Sequence, residues 1–214
     1  MDILFVGPQG AGKGTQADIL AAKLGMPHIS SGDLLRAVIE RRTVVGQQAK
    51  PYYDRGDLVP DSIMVEMFLQ RLAEPDSVKG AILDGFPRTI AQARALDEAL
   101  APLHRAIDQV VSLKADPNVL VKRLANRYIC RAQQHPYNLI TNPPKQPGIC
   151  DIDGSPLYQR SDDTEEAVRR RLEIFFGETI KLLDYYGAKD KVREIDAEQP
   201  IPAVTGAILR ALGL

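Results

Sequence analysis

Gly7-Pro8-Gln9-Gly10-Ala11-Gly12-Lys13-Gly14-Thr15 follows the apolar run Asp2-Ile3-Leu4-Phe5-Val6 and leads into a segment with Ile19, Leu20 and Leu24 at helical spacing. An apolar strand, a glycine-rich turn and a helix in that order make a phosphate cradle. Glycines let successive backbone N–H groups turn towards one anion, and the helix N-terminus adds partial positive charge. Lys13 is placed to reach the β- and γ-phosphates, with Gly10, Ala11, Gly12, Gly14 and Thr15 completing the triphosphate site. Gly14 stands where Ser or Thr ordinarily follows the lysine, so Thr15, one place later, becomes the hydroxyl near the phosphates. Such a loop is shared by GTPases, ATPase motors and small-molecule kinases, and other motifs must separate them.

Outward from the cradle, His28-Ile29, the run ending Ala81-Ile82-Leu83-Asp84, Val110–Leu113 and Lys191–Ile195 read as short strands. Ser30-Ser31-Gly32-Asp33 has the spacing of a helix start, as does Asp163-x-x-Glu166 before a long helical pattern, and a final amphipathic helix follows Pro200. Strands alternating with helices predict an α/β fold with a central parallel β-sheet flanked by helices. Residues 129–160 break the rhythm, with five of the 15 prolines and no helical period. A loop of that length is usually a lid or a small inserted domain.

The 214 residues carry 27 basic and 28 acidic side chains, a net charge of -1, which disfavours a general affinity for nucleic acid. No apolar run approaches the roughly 20 residues that span a bilayer, and the opening residues lack a signal-peptide pattern. A cytoplasmic location is expected, with no membrane partner. Cys130 and Cys150 are the only cysteines, too few for a disulfide framework. Their position within one short segment raises the question of a metal.

Five blocks, in order, resemble the adenylate kinase family over nearly the whole chain. They are Gly7–Thr15, Ile29–Arg36, Gly56–Asp61, Leu83–Thr89 with Gln92, and Gln159–Asp163. The resemblance implies an ATP:AMP phosphotransferase that gives two ADP, acts with Mg²⁺ and is a monomer. It implies three parts: a core of residues 1–29, 60–126 and 164–214, an AMP-binding insert at 30–59, and a lid at 127–163. Ser31, Arg36, Asp57–Val59 (including Leu58), Gly85, Phe86, Pro87, Arg88 and Gln92 would contact AMP. Ser31 could equally be only a helix N-cap. Asp84 closes its strand beside the cradle, where it can hold Mg²⁺ directly or through water, or merely cap a helix. Arg88 offers a planar fork for a phosphate, and Arg36 a clamp from the other side. Gln92 can pair both amide groups with the edge of adenine.

Arg123 and Arg127, spaced i,i+4, are expected on one helix face. By resemblance they converge with Arg160 and Arg171 on the transferred phosphoryl group, Arg160 and Arg171 also serving AMP. Pro136 and Tyr137 fall where the family meets ATP's adenine. The long lid resembles the zinc-bearing version of the family, with Gln133 in place of a cysteine ligand. His135 can supply the missing nitrogen, giving Cys130, His135, Cys150 and Asp153 as a structural Zn²⁺ site. The alternative is a zinc-free lid held by hydrogen bonds. A UMP/CMP kinase is disfavoured by the long insert, and a nucleotide-dependent switch by the second phosphate site. A zinc-ribbon nucleic-acid binder is weakened by the neutral charge and by only 6% aromatic residues.

Overall fold

A computed structural model of the chain describes residues 1–55, 59–159 and 165–214, so Asp57, Leu58, Arg160 and Asp163 lie outside the described residues. The run Asp2–Val6 forms β1, buried along its whole length. That suits the central strand of a parallel sheet, which is covered on both faces. Its neighbours are β2 (His28–Ser30), β3 (Ile82–Asp84), β4 (Ile107–Lys114) and β8 (Val192–Asp196), all parallel, in the order β2-β3-β1-β4-β8. Side chains alternate across β1 as the strand period requires. Leu4 and Val6 enter one core with Phe68, Phe86, Leu96 and Tyr186. Ile3 and Phe5 enter the opposite core with Leu20, Leu113, Leu124 and Ile208.

Helices α1 (Lys13–Leu24), α2 (Ser31–Glu40), α3 (Val44–Arg55), α4 (Asp61–Leu72), α5 (Ile90–Leu100), α6 (Pro117–Ala125), α7 (Glu165–Ile174), α8 (Lys181–Gly187) and α9 (Ile201–Leu212) flank the sheet. The long helix expected before the C-terminal strand is divided, because a π turn over Phe175–Thr179 separates α7 from α8. The wider turn leaves Phe175 and Thr179 both buried. Since β1 lies between β3 and β4, the loop leaving its C-terminal end opens at the centre of the sheet. Open α/β sheets bind their ligands at this edge.

The irregular segment is not structureless. β5 (Arg127–Cys130), β6 (Pro136–Asn138) and β7 (Leu157–Tyr158) make a separate antiparallel sheet in the order β6-β5-β7. Its strands of two to four residues are too short to show a period in sequence. One expectation is corrected here: Arg123 and Arg127 do not share a helix face. α6 ends at Ala125, Asn126 leaves helical geometry at φ -107°, and Arg127 begins β5.

The N-terminal strand is tied at its base by a buried ion pair. Asp2 is 3% exposed and accepts from Arg105 at 2.6 and 3.0 Å and from the Ala81 N–H at 3.0 Å. Removing one partner of such a pair leaves an uncompensated charge, at a cost of about 3 kcal/mol. Asp2→Ala is therefore expected to lower unfolding stability by about 3 kcal/mol in urea titration. A loss below about 1 kcal/mol would show that the pair contributes no more than a surface contact.

Candidate active site

The cradle has the conformation its glycines permit. Gly10 and Gly12 sit at φ 86° and 92°, and Gly12 occupies the N-cap of α1 without any side-chain cap. The first N–H groups of α1 are thus left for a ligand. The Lys13 ammonium folds back to donate to the carbonyls of Gly7 (2.8 Å) and Pro8 (3.1 Å), spanning the loop. Burial pulls its pKa below the ordinary value, as do Arg88 and Arg127, while Asp84 opposes them.

Asp84 ends β3 beside the cradle, with its Oδ2 3.7 Å from where a β-carbon on Gly14 would lie. Burial alone would raise its carboxyl pKa, but His28, Lys13 and Arg88 outweigh that and hold it below the usual range. An ionised, 14% exposed carboxylate beside Gly14 suits a hard divalent cation, which prefers oxygen ligands. Asp84 does not cap the helix that follows it. α5 is capped instead by Thr89, whose hydroxyl accepts from the Gln92 N–H.

A second cleft opens on the β2–β3 side. Ser30, not Ser31, caps α2, accepting from the Asp33 N–H. The Ser31 hydroxyl is left to accept from Arg88 at 3.2 Å, and Arg88 also donates through Nε to the Gly85 carbonyl at 2.7 Å. Gly85 must be glycine, since at φ 77° a β-carbon would lie 2.4 Å from Ser31 Oγ. Phe86 is buried and stacks on Phe68, with ring centroids 4.1 Å apart, and Pro87 follows through a cis peptide. Gln92 is 5% exposed. Arg36 pairs with Asp33, and Val59 packs on the edge of the core.

Arg127 is near enough to lower the pKa of Lys13, and Arg171 that of Arg88. Arg171 donates to the Gln9 side chain of the cradle at 2.9 Å. Arg123 is half-buried on α6; hydrogen bonds from the Glu198 backbone and the Gln199 side chain hold Asp196 below the usual carboxylate range, and the Arg123 charge adds to them.

In the inserted segment, Cys130, His135, Cys150 and Asp153 present ligand atoms all within 4.8 Å of one another. His135 Nδ1 lies 3.5 Å from Cys130 Sγ, 3.4 Å from Cys150 Sγ and 3.2 Å from Asp153 Oδ2. Tetrahedral zinc bonds of about 2.0–2.3 Å place ligand atoms roughly 3.3–3.8 Å apart, close to these His135 distances. Burial opposes ionisation of Cys150, but hydrogen bonds from Tyr137, the backbone at Asp153 and Ile152, and His135 bring its pKa below the ordinary value, towards the ligand form. Tyr137 is turned into this cluster, its oxygen accepting from the Asp151 N–H at 2.7 Å. Pro136 is the exposed member of that pair.

Sequence reading did not single out His28. Its Nδ1 meets Asp18 at 2.7 Å, and its buried Nε2 faces Asp84 at 3.7 Å. Nothing in the local pattern signals this, because Asp84 is brought close only by the β2–β3 pairing.

A family model described as adenylate kinase matches residues 5–191. The adenylate kinase of Streptomyces avermitilis is 49% identical over 213 residues, 99% of this chain and 97% of the relative. That of a Geobacillus species is 46% identical over 213 residues (100% and 99% of the two chains), and that of Bacillus subtilis 44% over 213 residues (100% and 98%).

Burial disfavours a charge on His28, yet Asp18 and Asp84 overcome it and raise its pKa to about 9. With a folded pKa above the unfolded value of about 6.5, the stabilisation is complete below pH 6.5 and lost as pH climbs towards 9. Its size is on the order of 2 kcal/mol, since Asp18 is largely exposed. The difference in urea-derived stability between the native chain and His28→Gln should shrink by that amount from pH 6.5 to 9. Parallel pH curves would show that His28 stays neutral.

Proposed function

The chain belongs to the adenylate kinase family, and we propose the following assignment of roles to its residues in the phosphotransferase reaction. The activity is reversible phosphoryl transfer from ATP to AMP, giving two ADP. The observation that supports the assignment is that Asp84 lies within electrostatic reach of both Lys13 on the cradle and Arg88, which bonds Ser31 and Gly85.

The acceptor oxygen of a nucleoside monophosphate is already ionised at neutral pH, so no general base is needed. What remains is to hold two polyanions in line and to neutralise charge spread over the transferring group. Gly10, Ala11, Gly12, Gly14 and Thr15 cradle the ATP phosphates, and Lys13 follows the β- and γ-oxygens. Arg88 and Arg36 orient the AMP phosphate, Asp57–Val59 and Ser31 line its nucleoside, and Gln92 reads the base. Arg123, Arg127, Arg160 and Arg171 converge on the transferred group. Asp84 would hold Mg²⁺ directly or through water, and the ion would supply charge neutralisation on the ATP oxygens. Pro136 packs on the ATP base. Tyr137 serves from behind, since its ring and hydroxyl are committed to the lid cluster.

Residues 1–29, 60–126 and 164–214 act as the core, 30–59 as the AMP-binding part and 127–163 as the lid. Closure of the lid excludes water, the competing acceptor. Cys130, His135, Cys150 and Asp153 bind a structural Zn²⁺, because four protein ligands leave no open position. A monomer in the cytoplasm, with no nucleic-acid or membrane partner, suits the balanced charge and the absence of any membrane-length apolar helix among the described residues.

A coupled assay of ADP formation with AMP, GMP, UMP and CMP as acceptors tests the assignment. AMP should lead by a wide margin, and Arg88→Lys should cut kcat/KM for AMP by about 10²-fold or more. Equal turnover of all four would remove the base-reading role. Metal analysis of the same preparation should find close to one zinc per chain, lost in His135→Ala and followed by a fall in thermal midpoint. A metal-free preparation of full stability would establish the hydrogen-bonded lid instead.

A further inference from the structure

Gln92 can tell adenine from a 6-oxopurine only if its amide is held one way round. Adenine offers a donor at N6 beside an acceptor at N1, whereas hypoxanthine and guanine offer an acceptor at O6 beside a donor at N1. A Gln carbonyl and amino group match either pattern, depending on which end of the amide faces which atom. Turning an amide over is a rotation about a soft terminal torsion. Discrimination therefore requires the amide to be fixed from behind.

Two groups fix it. Gln92 Oε1 accepts from the Arg88 backbone N–H at 2.7 Å, and Gln92 Nε2 donates to Asp61 Oδ1 at 2.6 Å. Each leaves a remaining lone pair or N–H for a ligand. A turned amide would set its carbonyl oxygen against a carboxylate and its amino group against an N–H. Asp61 is itself held: its Oδ2 accepts from the Thr89 hydroxyl at 3.1 Å, and Thr89 in turn caps α5. The carboxylate can only accept, unlike a hydroxyl or an amide, so it admits one orientation of its neighbour. Bonds to charged groups are also stronger than neutral ones.

We propose that Asp61 is a positioning residue for acceptor specificity, locking the Gln92 amide in the orientation that reads adenine and rejects 6-oxopurines. The proposal rests on the assignment of Gln92 to the AMP base. Asp61 sits at the first residue of α4, where an acidic side chain also favours the helix dipole. A purely helix-starting role would change stability and leave the ratio of acceptors untouched.

The test is kcat/KM for AMP and for IMP in the native chain, Asp61→Asn, Asp61→Ser and Gln92→Ala, with unfolding stability measured on each. Asn is nearly isosteric but can turn to donate, which removes half of the lock. The Arg88 N–H keeps the other half. Asp61→Asn is expected to narrow the AMP/IMP ratio by about tenfold, equivalent to about 1.4 kcal/mol. Asp61→Ser replaces the acceptor-only carboxylate by a shorter hydroxyl that can donate, at a helix start that tolerates serine, and should narrow the ratio likewise if Asn folds poorly. Gln92→Ala should narrow it at least as far. A native ratio in both Asp61 variants, with a narrowed ratio in Gln92→Ala, overturns the proposal and leaves the base-reading assignment standing. A native ratio in Gln92→Ala overturns that assignment and this proposal with it.

Discussion

A single carboxylate organises the centre of this molecule. Asp84 ends a buried strand with little water around it, where an isolated charge would be costly. It stays ionised because Lys13, His28 and Arg88 reach it from three different elements. Those cations in turn are tolerated so close together because Asp84 lies among them. The Lys13 ammonium, drawn over the loop carbonyls, spans the cradle, and Arg88 carries the acceptor cleft. The two halves of the site thus meet at one negative charge, at the edge of the sheet where the loops of β1 and β3 emerge together.

Rigid and adjustable parts are divided accordingly. Phosphate-binding groups on the cradle are backbone amides and a lysine anchored to backbone, set by a strand with no exposed residue. Under the proposed roles, the arginines that answer the transferring charge include Arg127 at the start of the inserted sheet on β5, and Arg123 on α6 and Arg171 on α7, which flank the insert. The insert has a sheet of only nine strand residues and a small core of Cys130, Tyr137 and Cys150. A core of that size stabilises little by burial, which is why small modules commonly rely on metal ligands or dense hydrogen bonding. The Cys130–His135–Cys150–Asp153 tetrad stands where such a staple is needed.

The residue proposed to read the acceptor base is likewise held from behind: the Gln92 amide is bracketed by the backbone of Arg88 and by Asp61. Arg88 thus bonds Ser31 through its guanidinium and Gln92 through its backbone N–H.

Much of this could be read from the chain alone, for reasons that are local. The cradle is contiguous, and the apolar strands and amphipathic helices carry their own periods. The α/β class and the Lys13 loop follow from such patterns, whereas the Cys130, His135, Cys150 and Asp153 set followed from the family resemblance of the insert. What sequence could not reach depends on partners far apart. The sequence separations of 31 from Asp61 to Gln92, 57 from Ser31 to Arg88 and 103 from Asp2 to Arg105 are closed by helix packing and strand order, which no periodicity encodes. Likewise, i,i+4 spacing suggested one helix for Arg123 and Arg127, but α6 ends at Ala125 and Arg127 pairs with Asn138 in the lid sheet. Local chemistry determined which groups the protein possesses. Only the parallel order of the strands, fixed by burying both faces of β1, decided which of them meet at Asp84.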